Sequence, residues 1–200
     1  MTVLYVQYSF NQTFKTMPIS LPRISAKQRL IDVASEIVAT RGVQDLTLEG
    51  VAAAAGVTKG GLIYHFKTKD DLLAAVVQAL IEQWEQRSRA KATQAGNTSG
   101  DMLRAMIDDT FDLPSAEQLL ISNLLAAASS YPHLLGPVRD LYGRLYSEFS
   151  KSGRQTGTAL VIAAALDGVS MLELLDFHRF NEAQRKALRQ ALHALAKEIP

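Results

Sequence analysis

The chain is expected to be all-α, with about nine helices: an N-terminal three-helix unit that contains a helix-turn-helix, then a larger helical body. Three observations lead there. Apolar residues recur at helical spacing along most of the 200 residues. Helix-capping residues and glycines punctuate that pattern where helices would begin and end. No stretch alternates apolar and polar residues as a half-buried strand would.

Taken in order, residues 1–22 show no helical periodicity and end in Pro18 and Pro22, so they are expected to form a flexible extension. Order is expected from Ser25, a suitable N-cap, with Leu30, Ala34, Ile37, Val38 and Arg41 at helical spacing and Gly42 as the terminator. Thr47 caps a short second helix through Val51 to Ala55, Gly56 breaks it, and a third spans roughly Thr58 to His65. Thr68-Lys69-Asp70-Asp71 resembles a capping box with Asp in place of Glu. It opens a long helix whose apolar positions Leu73, Val76, Val77, Leu80, Ile81 and Trp84 share one face.

The small polar stretch Ala95 to Gly100 is expected to be a linker. Helices near 101–112 and 115–130 follow, the second headed by Ser115-Ala116-Glu117-Gln118 as a further capping box. Tyr131-Pro132 interrupts, a helix of about 20 residues ends at Ser152-Gly153, and two last helices cover about 155–175 and 182–198, with Asn181 capping the final one. The domain division that results is 1–22 as extension, 23–70 as the helix-turn-helix unit and 71–200 as the body.

Composition narrows the function classes. Hydrophobic residues make up 48% and charged residues 20%, an ordinary globular balance. The absence of cysteine removes disulfides, thiolate metal sites and cysteine nucleophiles, and fits a cytoplasmic location. The longest unbroken apolar run, Ala159 to Leu166, is far shorter than the roughly 20 residues of a membrane span, so no membrane partner is expected. Net charge is +1, unevenly distributed. Arg23 to Lys69 holds seven Lys and Arg against four Asp and Glu, a net of +3, while residues 70–200 carry a net of −3. A basic N-terminal unit on an acidic body suits nucleic-acid binding by one part only.

The most informative stretch is TLEGVAAAAGVTKGGLIYHFKTKDDLL, Thr47 to Leu73. Two short helices meet at Gly56, where a tight turn needs positive φ. Val51, Ala52 and Ala55 let the second helix pack closely, and Leu62 and Phe66 anchor it. Its other face carries Thr58, Lys59, Gly60, Gly61, Tyr64 and His65. A hydroxyl, a cation and two glycines at that helix's N-terminal end let the backbone approach bases and phosphates. Lys69 and Thr47 each stand at a helix start, where N–H groups and the helix dipole favour phosphate.

These residues resemble the TetR family of bacterial regulators: the alanine-rich helix before Gly56-Val57, then Thr58-Lys59-Gly60-Gly61-Leu62, Tyr64-His65-Phe66, Lys69 and Leu72-Leu73. The match covers about 45 residues. Gly50 and Gly61 depart from the family pattern, the first removing a capping box and the second a hydroxyl. The resemblance implies that Thr58, Lys59, Gly60 and Tyr64 lie in the major groove, that Gly61 flanks them, and that Thr47, His65 and Lys69 hold phosphates. It further implies a repressor that binds a palindromic operator as a homodimer and is released by a small-molecule effector in the body, with no cofactor.

In the body, Leu188, Leu192, Leu195 and Ile199 recur at helical spacing, as do Ile162, Leu166 and Val169 on the preceding helix. Two such helices from each subunit suit a four-helix dimer interface. The candidate pocket residues are Trp84, Met106, Asn123, Tyr142, Tyr146 and Phe149, with Met102 and Phe111 nearby, although any core needs similar side chains. Asp108 and Asp109 could counter a cationic ligand, but paired acids on a helix usually form a solvated face. An enzyme is not expected: His133, His178 and His193 lack metal-ligand spacing, and no phosphate-binding glycine loop occurs. The alternative is a helical interaction or scaffold protein whose helix-turn-helix is structural.

Overall fold

The computed structural model describes residues 25–199, and the expected extension 1–22 lies outside them. The described residues form nine α-helices: α1 (Ala26–Arg41), α2 (Leu48–Ala54), α3 (Lys59–His65), α4 (Lys69–Ala95), α5 (Ser99–Phe111), α6 (Ser115–Ala127), α7 (Leu135–Phe149), α8 (Thr156–Leu174) and α9 (Glu182–Ala196). Short 3-10 turns precede α7 and α8.

Helix boundaries follow local chemistry. The hydroxyls of Ser25, Thr47 and Thr58 accept from the N–H groups of Gln28, Gly50 and Gly61, each satisfying a donor that a helix start leaves unpaired. Thr68 with Asp71, and Asn181 with Gln184, form reciprocal capping boxes. Gly42 and Gly56 adopt φ of 84° and 66°, the left-handed backbone that ends α1 and turns α2 into α3.

Several boundaries differ from expectation, and α6 ends at Ala127 rather than near 130. The linker after α4 is shorter, because Thr98 caps α5 through a capping box with Asp101 and Gly100 already lies within that helix. The capping box at Ser115 does not form: Pro114 is the N-cap, and Glu117 turns instead to Arg87. Tertiary attraction by a guanidinium outweighs the local cap. Finally, α7 spans 15 residues rather than about 20, since Pro132 to Leu134 form a 3-10 turn before it and Ser150 to Ser152 turn out of its end.

Two apolar cores stack end to end. The first joins α1, α2 and α3 through Leu30, Val38, Val51, Leu62 and Phe66 to the start of α4 at Leu72, Leu73 and Val76, and continues into α6 through Leu120 and Leu124. The second gathers Leu103 and Ile107 of α5, Leu145 and Phe149 of α7, Ile162 and Leu166 of α8, and Leu192 of α9. Each such fully buried side chain contributes ~1.5–3 kcal/mol relative to exposure. Helix α4 runs through both, so its two ends are packed in different cores.

Charge pairs fasten α9 to α5. Arg189 bridges Asp108 and Asp112 at 2.6 and 2.7 Å, His193 meets Asp108 at 3.0 Å, and Arg185 donates to the Phe111 carbonyl and lies over that ring. The pair Asp108/Asp109 is therefore not a solvated face. Asp109 is buried and bonded to Lys91 at 2.6 Å and Ser88 at 2.5 Å.

The apolar stripes expected at a dimer interface face inward. Ile162, Leu166, Val169 and Leu192 are buried in the subunit's own core, Leu188 is half-buried, and Leu195 is exposed. What α8 leaves uncovered is a different stripe: Gly157, Val161, Ala164, Gly168, Leu172 and Leu175. That helix is apolar on nearly all sides, and hydrophobic spacing alone could not tell its two faces apart. The same property makes the 22-residue segment Gly153–Leu174, with a mean hydropathy of 1.5 over its most apolar 18 residues, long and apolar enough to cross a membrane. The unbroken-run criterion missed this because small polar residues interrupt the run without lowering its average much. Here one face of the segment packs in a protein core and carries Asp167 at the cavity described next.

Candidate nucleic-acid interface and cavity

Helix α3 is held by its inner face and presents its outer one. Leu62 and Phe66 are 0% and 3% exposed, whereas Tyr64 is 85% exposed at the protein surface. Thr58, Lys59, Gly60 and Gly61 are likewise exposed, and His65 is half-buried with its ring edge-on to Tyr64 at 5.0 Å. The two glycines leave the N-terminal end of α3 without side chains, so a large, flat surface could approach its backbone. A side chain at Gly61 would come within 3.3 Å of the Thr58 hydroxyl that caps the helix, so the missing hydroxyl at 61 leaves that cap undisturbed. Gly50 stands in the same relation to Thr47, where an added Cβ would come to 2.9 Å.

Two cations of this surface already have partners. Lys59 pairs with Glu49 of α2 at 2.7 Å, with both side chains well exposed. The Lys59 hydrogen bond holds the Glu49 carboxyl below its ordinary value. Lys69 donates across the α1–α2 loop to the carbonyl of Gln44 at 3.4 Å. Glu49 was not singled out from the sequence, because nothing in the spacing Glu49 to Lys59 reveals that α2 and α3 cross with those positions adjacent. Thr47 is exposed at the start of α2, on its own cap.

The second feature is a partly open cavity of about 260 Å³ between α4, α5, α6, α7 and α8. Trp84, Met106, Tyr142, Tyr146 and Phe149 line it, together with Leu113, Ile121, Leu125, Val138 and Met171, none of which spacing had distinguished from core. Asn123 does not line it. Its side-chain amide points away, donating to the carbonyls of Val38 and Ala39 at 2.9 and 3.2 Å. It therefore gives the Ala39 carbonyl a donor at the end of α1 and adds a second donor to Val38, whose carbonyl already accepts from the Gly42 N–H.

Three carboxylates line the cavity, Asp109, Glu117 and Asp167, and no basic side chain does among the described residues. Arg87 grips Glu117 with two hydrogen bonds of 3.0 and 3.1 Å and approaches Asp109 at 3.3 Å. Asp167 instead receives the phenol hydroxyls of Tyr142 at 3.1 Å and Tyr146 at 2.6 Å, whose rings stack. Burial, followed by the Asp167 charge for Tyr142 and the hydrogen bond to Asp167 for Tyr146, pushes both phenols up, Tyr146 to about 12. Both remain donors at neutral pH.

Known proteins share this fold. Residues 30–76 match the family profile described as bacterial regulatory proteins, tetR family, and residues 100–197 match that of the tetracyclin repressor-like C-terminal domain. The transcriptional regulator BetI of Serratia proteamaculans is 30% identical over 173 residues, which span 81% of this chain and 87% of that one. CymR of Pseudomonas putida is 33% identical over 107 residues, covering 53% and 52% of the two chains. Among solved structures, the multidrug binding protein EbrR in complex with imidazole superposes with a TM-score of 0.64 at 26% identity, over 88% of this chain and 96% of that one. A TetR-family protein of Streptomyces coelicolor gives 0.61 at 26% identity, over 88% and 99%. With both halves matched and relatives aligned along most of their length, the chain belongs to the TetR family, and it is a DNA-binding transcriptional regulator rather than an enzyme.

Proposed function

We propose that the protein is a repressor that binds a palindromic operator as a homodimer and leaves it when a small molecule enters the cavity. In this reading residues 23–70 bind DNA and residues 71–200 bind the effector and the second subunit. Thr58, Lys59, Gly60 and Tyr64 enter the major groove, Gly61 lets the backbone approach, and Thr47, His65 and Lys69 hold phosphates.

One observation carries the link between effector and DNA: the helices that wall the cavity are the ones that hold the DNA-binding unit. Helix α4 begins at Lys69 beside α3 and reaches the cavity at Val77, Leu80, Ile81 and Trp84. Helix α6 contributes Ile121, Leu124 and Leu125 to the wall while Asn123 and Leu120 grip α1 and its core. A ligand that displaces either helix would rotate the unit, because packed helices shift as rigid bodies. That EbrR has been captured with imidazole, malachite green and ethidium supports a small-molecule effector. The uncovered stripe of α8, with Ala187, Ala191 and Leu195 exposed on α9, supports pairing through a four-helix interface.

Selection of genomic fragments with purified protein, followed by affinity measurements across salt, tests the reading. Enrichment of one palindrome, bound by two subunits with steep salt dependence, is expected. Without enrichment, the scaffold alternative takes its place. Because the chain has no cysteine, a spin label at a single Ala53→Cys on exposed α2 reports the distance between the two DNA-binding units. An effector that released DNA without changing that distance would exclude the mechanism.

A further inference from the structure

We propose that the effector is an organic cation with an aromatic or bulky alkyl body, and that Asp167 is its counter-charge; the inference rests on reading the cavity as the effector site. The cavity wall is mainly apolar, with three carboxylates as its ionisable groups of fixed charge. Two of these are neutralised from behind. Glu117 and Asp109 share Arg87, and Asp109 also holds Lys91. These two anions and two cations balance.

Asp167 is different. Among the described residues it has no ion-pair partner, and its hydrogen-bond donors are the neutral phenols of Tyr142 and Tyr146. Each hydroxyl stabilises the carboxylate, but neither cancels its charge. A carboxylate offers about four lone-pair sites, of which two are used here. The cavity therefore keeps a net charge of one electron, fixed in position by two donors that themselves stay protonated.

Charge in an apolar cavity selects strongly by sign, since the low local dielectric strengthens attraction and repulsion alike. An anion would face Asp167 with no basic group to receive it. A neutral ligand would leave the carboxylate unpaired and strip it of water. A cation removes both penalties. The aromatic groups around the carboxylate strengthen the case: Tyr142 and Tyr146 stack with ring centres 6.2 Å apart, and Trp84 lines the same cavity. Electron-rich ring faces attract cations, especially those too bulky to be well hydrated. The volume of about 260 Å³ sets the scale at a small molecule of one or two rings.

The experiment uses the full chain and its own reporter, since Trp84 is the sole tryptophan and lines the cavity. Trp84 fluorescence is titrated with benzyltrimethylammonium, with neopentylbenzene, its uncharged carbon isostere, and with benzenesulfonate. The cation is expected to bind at least about tenfold tighter than the isostere, and the anion more weakly than either. In Asp167→Asn the cation should lose that advantage while the isostere changes by less than about twofold. Equal binding of cation and isostere, no saturable binding of the cation up to millimolar concentration, or unaltered cation binding by a folded Asp167→Asn would each overturn the proposal. The wild-type charge series decides even if the variant fails to fold. Operator binding without ligand, measured on the same preparation, tests the regulator reading separately: its loss would count against that reading and leave the charge preference standing.

Discussion

The side-chain amide of Asn123, midway along α6, caps the end of α1 by donating to the carbonyl of Val38 at 2.9 Å. Asn123 is followed directly by Leu124, and Ile121 lies two residues before it; both line the cavity. One helix thus touches the cavity and the DNA-binding unit within a single turn. Asn123→Leu, similar in volume, should cost about 1 kcal/mol, since the Ala39 carbonyl loses its donor while Val38 keeps the Gly42 N–H. If α6 transmits the effector signal, the variant should bind operator but require more ligand for release. Thermal denaturation and ligand-dependent DNA binding read the two effects separately.

The Lys59–Glu49 pair makes opposite predictions for its two members. Lys59→Ala should weaken operator binding by about 1–3 kcal/mol, the usual worth of a specific base contact. Glu49→Gln should instead tighten it, by about threefold at low salt, because Lys59 is freed and a nearby negative charge is removed. Gel-shift titration at two salt concentrations distinguishes these outcomes. A Glu49→Gln protein that bound DNA more weakly would mean that Glu49 positions Lys59 for the groove.

On α8, neighbouring residues should behave oppositely. Val161 is 60% exposed on the uncovered stripe, while Ile162 is fully buried. Val161→Glu should leave the subunit folded, separate the dimer and abolish binding to the palindrome. Ile162→Ala should cost about 2–5 kcal/mol of stability through the cavity it leaves. Light scattering together with denaturant unfolding checks both.

The C-terminus is tested at Gly100 and Asp101. A methyl group at Gly100 would lie 2.2 Å from the Ile199 carbonyl oxygen, so Gly100→Ala should displace the segment after α9 and destabilise by about 1–3 kcal/mol. The Arg104 guanidinium, with the Thr98 N–H and hydroxyl, holds the Asp101 carboxyl at about 2. Its folded value is depressed, so its stabilisation is complete above the unfolded value near 4 and is lost as pH falls through about 2. The melting-temperature gap between wild type and Asp101→Asn should therefore be constant at neutral pH and close between pH 4 and pH 2.

Much of the DNA-binding half was legible because its determinants are local. Caps at Ser25, Thr47, Thr58 and Thr68, the left-handed turn at Gly56 and the inward pair Leu62 and Phe66 each depend on residues within four positions of one another. Helix periodicity then separates the buried face of α3 from its exposed one, and the exposed one is where Lys59 and Tyr64 stand.

The body was legible as helices, but not as a site. Asp167 sits in an apolar helix where sequence offers no reason to distinguish it, and its meaning comes from two tyrosines 21 and 25 residues away. Asp109 reads as surface until Lys91, 18 residues earlier, is brought beside it. Asn123 reads as a polar group in a pocket until α1 arrives 85 residues back. On α8 both faces are apolar, so only packing shows which stripe is buried inside the subunit and which is left uncovered. The sequence by itself determined that the chain is a series of helices, where those of the DNA-binding unit begin and end, and which face of α3 is free, since backbone capping and periodicity are short-range. Only the tertiary structure decided which charges are neutralised, which apolar face is uncovered and how the cavity joins the DNA-binding unit, because those depend on contacts between residues far apart in the chain.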